Sequence, residues 1–577
     1  MRVQKTRVRG GVTIAHGRVR LWMRSRACPT CRATPASASA ALRALFPPRA
    51  TFGYDVIVRV GLERFVHYRQ RDEIRVALAA EGVEISQAEI SLLGRRFLDY
   101  LDALHRARAA ALRAVLAADG GWPMHIDATG EDGRGTLLVV YAGWRGWVLG
   151  AWKVPTERAD AVLPRLRRVA DRFGAPCAIM RDLGRAMTEA AATFVATRTL
   201  TIPILACHMH FLRDVGSDLM RTPHDALRDR FRQCQVLPHL RALARGLGRR
   251  LGPALAQARQ GVERWLRRDD GTHRLPTGNE GLGAVRALAQ WVLDFPRDGL
   301  DQGFPFDVPM LDLHTRCLDG LAALDAFLRR EPDDATVGQA AKRLHAILRP
   351  VDSAVPFDRI ARVLRTRRNL FHELRAALRL GPKPAHLAPA RARSTDEADL
   401  EQIRDAITKL TASLRTRRPA RGPAKEARRG IDIILDHLAR HGDSLWGHAI
   451  RLPDGSTRLV ARTNNALEGF FRGLKHDERR RSGRRTLTQD LEHLPPAAAL
   501  ARNLLRPDYV ETLCGSFAKL PAAFAMLNAE GLVHDDGDAL EHETVSRSLP
   551  TSDRDIVRTD EMFLCINAAA NSRAPRR

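Results

Sequence analysis

The segment between Trp122 and His208 constrains the fold more than any other part of the chain. Its pattern changes in this order: β-rich runs at 123–128, 136–141 and 147–153, a helix at 159–173, the strand "PCAIMRD", a helix at 187–196 and the strand "IPILACH". Glycine-rich turns separate the first three runs, which is typical of an antiparallel meander. Three strands followed by alternating helices and strands predict an α/β layer around one mixed sheet.

A long helical stretch follows this segment. From about 213 to 440 the apolar residues recur at helical spacing, and two proline-rich segments, "LGPKPAHLAPARARS" and "RRPARGPAK", interrupt it. No repeat of fixed period is present, so we expect a helical bundle and not a solenoid. Asp454-Gly455 then gives a hairpin signal, and a helix is predicted from Asn464 into "FFRGLKHDERRRSGRR".

The chain begins with a basic segment, "TRVRGGVTIAHGRVRLWMRSRACPTC", which is typical of a β-hairpin leading into Cys28-x-x-Cys31. Such a knuckle is half of a zinc site, because zinc takes four ligands. No second cysteine pair lies nearby, and His16 is the only close candidate for a further ligand. Two interpretations therefore remain open: a zinc site, or an incomplete or vestigial zinc ribbon that binds no metal.

Residues 36–118 have a helical pattern. One helix is predicted to end near Ala80, Gly82 makes a turn, and Ser86 caps a second helix. The second helix carries a face of apolar residues, namely Ile90, Leu93, Phe97 and Leu101. This spacing is typical of a helix-turn-helix that reads DNA, but helical bundles show it as well.

The charge balance favours a polyanionic partner. Lys and Arg number 93 against 66 Asp and Glu, which gives a net charge of +27 and a field that attracts nucleic acid. Coding bias toward Arg and Ala would give a similar excess. We expect no membrane span, because no stretch of about 18 apolar residues occurs, and no signal peptide. Eight scattered cysteines indicate a reducing cytoplasm.

Three carboxylates stand at positions where they could meet. Asp127 is predicted at the end of the first strand, Asp182 just past the strand "PCAIM", and Glu468 on the helix of "RTNNALEGFF". Acids at the ends of neighbouring strands lie at one edge of a sheet, and a helix packed there could add the third. Carboxylates are hard ligands for Mg²⁺, and two such ions about 4 Å apart would clamp a phosphodiester.

Each acid also has a purely structural interpretation. Asp127 in "IDATGED" could begin a turn, and Asp182 in "RDLG" could cap the following helix. Glu468 lies off the apolar stripe of its helix and could pair with Arg472 one turn later. Their joint occurrence on these elements, in this order, favours a shared site.

Four blocks of sequence resemble those of a DDE transposase with a ribonuclease H-like catalytic fold. They are "HIDATGE", "MRDLGRAM", "CHMH" and "TNNALEGFFRGLKHDERRRSGRR", and the resemblance covers roughly 121–220 and 445–500. It implies that Asp127, Asp182 and Glu468 bind two Mg²⁺ or Mn²⁺ ions and are catalytic. Glu468 follows Asp182 by 286 residues, which implies an inserted helical domain, as in transposases similar to the Mutator and hAT groups and their bacterial relatives.

The resemblance also assigns further residues. Those groups carry a C-x-x-H after the second Asp, here Cys207 to His210, for which packing or DNA positioning is favoured over an incomplete zinc site. Asn464 and Asn465 precede the Glu in the same block. Apart from the resemblance, the basic residues on the helix of Glu468 and its extension are expected to follow the DNA backbone, the alternative being a solvated charged face. These residues are Arg472, Lys475, Arg479, Arg480 and Arg481.

The combined prediction is an α/β ribonuclease H-like core with a mixed sheet, interrupted by a large all-α insertion and preceded by a helix-turn-helix region. The divisions are a partial zinc-ribbon hairpin at 1–35, a helical DNA-binding region at 36–118, the first core part at 119–212, the insertion at 213–440, the second core part at 441–530 and a polar tail at 531–577.

The predicted function is that of an insertion-sequence transposase, which cleaves DNA at element ends and transfers the strand to a target. We expect it to act as a homo-oligomer on DNA in the bacterial cytoplasm, associated with the nucleoid. Two alternatives remain open at this point. One is an immobile relative that binds or nicks DNA, and the other is a helix-turn-helix regulator without enzymatic activity.

Overall fold

A computed structural model describes residues 2–27, 40–131, 134–266, 280–300, 302–329, 334–380, 397–421 and 425–532. Cys28 and Cys31, the two cysteines of the predicted zinc knuckle, lie outside these residues, as does the predicted tail from Val533 onward.

The centre of the fold is a mixed sheet of five strands, which are Pro123–Glu131 (β3), Arg134–Ala142 (β4), Trp147–Lys153 (β5), Ala178–Arg181 (β6) and Ile204–Ala206 (β7). Their order in the sheet is β5-β4-β3-β6-β7. Strands β3, β4 and β5 are antiparallel, whereas β6 and β7 run parallel to β3. This arrangement confirms the predicted meander followed by alternating helices and strands.

Helices join the parallel strands and cover the sheet. Ala159–Phe173 (α6) leads from β5 to β6 and packs on β4 and β5, and Arg185–Thr197 (α7) leads from β6 to β7. The apolar side of α6, which includes Val162, Leu166 and Phe173, is fully buried. The sheet interior is equally apolar, since the side chains of β4 from Leu137 to Val140 have no exposed surface.

Between β7 and the next strand, the described residues form helices joined by turns and short loops, without a strand. Aromatic contacts tie the helices together, as where the rings of Phe231 and Phe357 meet with centroids 5.0 Å apart. The helices are His208–Gln233 (α8), Val236–Leu266 (α9), Glu280–Leu293 (α10), Pro309–Leu328 (α11), Ala335–Ser353 (α12), Val355–Ala377 (α13), Glu397–Arg417 (α14) and Lys425–His441 (α15), with 3-10 turns at Phe295–Asp298 and Gly442–Leu445.

The N-terminal part begins with an antiparallel hairpin, Arg2–Thr13 (β1) and Gly17–Ala27 (β2), as the sequence predicts. Five helices follow: Ala40–Leu45 (α1), Tyr54–Phe65 (α2), Arg71–Ala80 (α3), Gln87–Ala107 (α4) and Ala109–Ala118 (α5). Ser86 caps α4 as predicted, because its hydroxyl accepts from the Glu89 N–H while the Glu89 carboxylate accepts from the Ser86 N–H.

The C-terminal part returns to the sheet. Ala449–Arg451 (β8) and Thr457–Leu459 (β9) form the hairpin that Asp454-Gly455 predicts, and Asn465–Ser482 (α16) follows and packs on β3. Gly483 ends α16 in the left-handed conformation, with a φ of 72°. The remaining helices are Thr488–His493 (α17), Ala498–Ala501 (α18), Pro507–Cys514 (α19) and Leu520–Ala529 (α20), with 3-10 turns at Arg502–Leu505 and Phe517–Lys519.

One stretch of the described chain, Pro507–Ala529, is long and apolar enough to pass a length-and-composition test for a membrane span. It consists of α19 and α20 separated at Gly515, whose φ is 84°. Tyr509 on α19 and Phe524 on α20 have no exposed surface, and α20 packs on α2 and α4.

Candidate active site

Asp127, Asp182 and Glu468 lie in the region where β3 meets β6 and α16. Asp127 lies within β3 and Asp182 directly follows β6, which is the parallel neighbour of β3. Glu468 lies on the first turn of α16, the helix that packs on β3. The charges of Asp182 and Glu468 both act on the Asp127 carboxyl, so the three side chains share one electrostatic environment.

Asp127 is not at the end of its strand, and this part of the prediction is wrong. Strand β3 continues to Glu131 because it still pairs with β4, where Asp127 is opposite Val139. Its parallel pairing with β6, however, covers only Pro123 to His125. Asp127 therefore lies just beyond the end of β6, and this position brings it near Asp182.

The environment of Asp127 opposes its negative charge. The residue is only 8% exposed, and burial raises the pKa of its carboxyl to about 7; the charges of Asp182 and Glu468 act in the same direction. The N–H of Ala128 donates to Oδ1 at 2.8 Å and partly offsets this rise. Such a carboxylate gains stability from a cation placed beside it.

Asn464 links the strand of Asp127 to the helix of Glu468. It has no exposed surface, and its amide nitrogen lies 3.4 Å from both the Ile126 carbonyl oxygen and Asp127 Oδ2. Its Oδ1 accepts from His125 Nδ1 at 2.9 Å, and its carbonyl accepts from the Glu468 N–H. Asn464 therefore fixes the start of α16 against β3. Its neighbour Asn465 is exposed.

His125 is a residue that the sequence analysis missed. It lies two positions before Asp127 on the same face of β3 and is 1% exposed. Burial lowers its pKa to about 4, so the ring is neutral at physiological pH and donates from Nδ1 to Asn464. Its spacing of two residues from Asp127 could have identified it, because residues two apart on a strand share a face.

Glu468 faces His210 in the described structure. His210 Nε2 lies 3.6 Å from Glu468 Oε1, and the described residues include no ion pair between Glu468 and Arg472. Oε1 is buried and has no hydrogen-bond partner among the described residues. Glu468 is thus placed toward the sheet edge and not toward the exposed Arg472.

Cys207 and His210 flank Glu468, and one ligand atom from each of the three side chains lies within 4.8 Å of the others. Cys207 caps α8 and is fully buried, and burial raises the pKa of its thiol to about 11. The thiol accepts from the Asn464 N–H at 3.1 Å. This hydrogen bond joins the start of α8 to the start of α16.

Two further acids widen the negative region, and the sequence analysis missed both. Partial burial raises the pKa of Glu157 and of Asp214, and the charge of Asp182 contributes to each rise. Asp214 follows His210 by four residues on α8, so helical spacing could have identified it. Glu157 lies in the connection after β5 and has no comparable local signal.

The five basic residues predicted to follow DNA differ in their surroundings. Arg472 is exposed and the described structure includes no ion pair for it. The other four have intramolecular partners: Lys475 donates to the Gly130 carbonyl, Arg479 contacts Glu131, Arg480 contacts Glu73, and Arg481 pairs with Glu478 and lies over Phe65. Their contact with DNA stays a prediction, and Arg472 could contact DNA without breaking an ion pair of the described structure.

The chemistry of the three acids suits a divalent cation, although the ligand atoms that lie within 4.8 Å of one another in the described structure are those of Cys207, His210 and Glu468 and not those of the three acids. Asp127, Asp182 and Glu468 supply carboxylate oxygens, which are the ligands that Mg²⁺ prefers. The buried Oε1 of Glu468 lacks a hydrogen-bond donor among the described residues, and the pKa of Asp127 is raised by burial and, to a lesser extent, by the other two acids. A bound cation would give the Glu468 oxygen a partner and would offset the repulsion between the acids.

Comparisons with known proteins give one distant structural likeness. No family model matches the chain, and no curated protein matches it. Among solved structures, the chain is similar to the "Drosophila P element transposase strand transfer complex", with a TM-score of 0.33 and 11% sequence identity; the alignment covers 84% of this chain and 94% of that chain. Similarity at this level identifies no family for the chain.

Proposed function

We propose that the protein is a metal-dependent enzyme that cleaves DNA and transfers the cut strand, in the manner of DDE transposases. The observation that carries this proposal is the buried Asp127 carboxyl, whose pKa is raised to about 7 beside Asp182 and Glu468. Clusters of this kind are found at functional sites, because stability alone does not favour them. The order of the five strands agrees with a ribonuclease H-like core.

Asp127, Asp182 and Glu468 would hold two Mg²⁺ or Mn²⁺ ions. When bound, such ions lower the pKa of an attacking water or 3′-hydroxyl and stabilise the charge that develops on a phosphodiester. Asn464 holds Asp127 through its amide, and His210 lies beside Glu468. The buried Asn464 and the partly buried His210 limit the rotamers of the two acids, as a metal site requires.

DNA is the polyanion that this site and the net charge of +27 suit best. Arg472 lies four residues after Glu468 on α16 and is exposed, so it could contact a phosphate next to the cut. Action at insertion-sequence ends, assembly as a homo-oligomer on DNA, and a cytoplasmic, nucleoid-associated location belong to the same proposal. The helix-turn-helix region would bind the element ends.

The test compares wild type with Glu468→Gln on duplexes made from the DNA that flanks the gene. Gln keeps the shape of the side chain but removes the charge that would hold the metal. We expect Mg²⁺-dependent cleavage to fall at least about 100-fold, while DNA binding and the circular dichroism spectrum stay unchanged. Glu511→Gln on α19 is the matched control, because Glu511 is exposed. This variant should cleave DNA like wild type.

Equal cleavage by wild type and Glu468→Gln would refute the proposed role of Glu468. Binding without any cleavage by wild type would favour a regulator. Cleavage without joining of the 3′-end to a target duplex would favour an immobile nicking relative.

A further inference from the structure

The N-terminal hairpin, formed by β1 and β2 and here called the basic ribbon, carries an unbalanced charge. Residues 2–27 include eight Lys and Arg and no Asp or Glu. The chain as a whole has 93 basic and 66 acidic residues, so the absence of acids in this segment exceeds the general trend. A two-stranded ribbon of this composition repels other cations and needs an anionic surface to dock on.

The strand register distributes the basic ribbon's side chains over two faces. Val8 is opposite Trp22 and Gly10 is opposite Arg20, and these pairs share one face because side chains alternate along a strand. The other face carries Lys5, Arg7 and Arg9 on β1. Both faces are therefore basic, and one of them also presents an aromatic side chain.

The basic ribbon is held at its turn and extends from there. The N–H of Ile14 donates to Asp55 Oδ2 at 2.8 Å, and Val12 exchanges backbone hydrogen bonds with Thr51 and Gly53. Gly11 lies against the ring of the buried Phe46. These contacts fix the direction in which the rest of the basic ribbon leaves the helical body.

Beyond the anchored turn, the side chains are exposed. Trp22 is 60% exposed and Val8, which faces it, is 54% exposed. Over residues 5–22, whose side chains the structure describes, the ion pair between Arg18 and Glu84 is the only one that involves the basic ribbon. Lys5, Arg7 and Arg20 are exposed and thus available to an external anion.

We propose that the basic ribbon docks into the major groove of duplex DNA and forms a contact separate from the candidate active site. The major groove of B-form DNA is about 12 Å wide and admits a two-stranded ribbon, whereas the groove of A-form RNA is too narrow. Arg7 and Arg20 contact phosphates on opposite strands of the groove, and Trp22 packs on base edges with Val8. This inference rests on the proposed function only in sharing DNA as the partner.

The experiment measures binding of the full chain to a labelled 30-bp duplex by fluorescence anisotropy. EDTA is present, so that no metal-dependent cleavage occurs, and KCl is varied from 50 to 200 mM. The double variant Arg7→Ser, Arg20→Ser should weaken binding roughly 10- to 60-fold at 100 mM KCl and reduce the salt slope by about 1.8, at about 0.9 for each lost phosphate contact. Trp22→Ala should weaken binding roughly tenfold without changing the slope.

A matched control separates docking from net charge. Arg241 and Arg245 on α9 are exposed, and Arg241→Ser, Arg245→Ser removes the same two charges. We expect this control to change the affinity less than about threefold, because distant exposed charges are screened. A photoreactive p-benzoylphenylalanine in place of Trp22 should crosslink to the duplex, a result that does not depend on any loss of affinity.

Three outcomes would overturn the inference: an unchanged affinity and slope in the ribbon variants, an equal loss in the control, or equally ribbon-dependent binding to double-stranded RNA of the same sequence. A chain that binds DNA through the basic ribbon but never cleaves it would refute the proposed enzyme and leave the ribbon contact standing. If the protein cleaves DNA but the ribbon variants bind DNA with the affinity and salt slope of wild type, the ribbon contact is refuted and the proposed enzyme stands.

Discussion

Asp127→Asn is expected to make the metal-free protein more stable at pH 8. The pKa of Asp127 is raised from an ordinary 3.8 to about 7, first by burial and then by Asp182. The folded protein therefore holds this proton more tightly than the unfolded chain does. Stability falls as the pH rises from about 4 to about 7, and the full penalty is present above pH 7. This rise in the pKa corresponds to on the order of 4 kcal/mol of stability, at 1.36 kcal/mol for each pKa unit, and Asn avoids this loss.

Urea unfolding in EDTA at pH 5 and pH 8 measures this effect. The free energy of unfolding of the Asn variant should exceed that of wild type by more at pH 8 than at pH 5. Millimolar Mg²⁺ should then stabilise wild type but not the variant, because a ligand that binds the folded state stabilises it by mass action. Asp436→Asn on α15 serves as the control, since Asp436 is exposed. A variant that is no more stable than wild type at pH 8 would contradict the inferred burial of charge.

Asn464→Ala should destabilise the protein by about 2–4 kcal/mol, because an unsatisfied buried polar group costs about 1–3 kcal/mol. The change removes the acceptor for His125 Nδ1 and the donor to the Ile126 carbonyl and Asp127. It also leaves a cavity where a side chain had no exposed surface. Thermal or urea unfolding of the purified variant measures the loss.

Asn465→Ala is the matched control for this prediction. Asn465 is exposed on the next position of the same helix, so its replacement should change stability by less than about 0.5 kcal/mol. Asn464→Asp offers a second comparison, since it keeps the shape but places another acid beside Asp127. It should be at least as destabilising as Asn464→Ala at pH 8. If the Asn464 and Asn465 variants were equally stable, the buried hydrogen bonds of Asn464 would not stabilise the fold as expected.

Local sequence patterns identified much of the secondary structure. The alternation from Trp122 to His208 predicted five strands and two helices, and the structure has all of them. Ser86 marked the start of α4, and Asp454-Gly455 marked the β8–β9 hairpin. These features depend on periodicity and on turn or cap chemistry within a few residues, so the sequence carries them directly.

The partners of the candidate site residues required the tertiary structure. Helical spacing made Arg472 the obvious partner of Glu468, yet Glu468 faces His210, which belongs to another helix. Asn464 meets Asp127 across 337 residues and His125 across 339. Likewise, the extra pairing of β3 with β4 placed Asp127 inside its strand.

The sequence by itself determined the elements of the core and named the three acids, whereas only the tertiary structure decided what surrounds them. Glu157 and Asp214 come close enough to Asp182 for its charge to raise their pKa values, although they lie on different elements. The burial that raises the pKa of Asp127 arises where β3 and α16 pack together. Contacts between distant segments leave no periodic signal, because they are set by the packing of whole elements and not by neighbours along the chain.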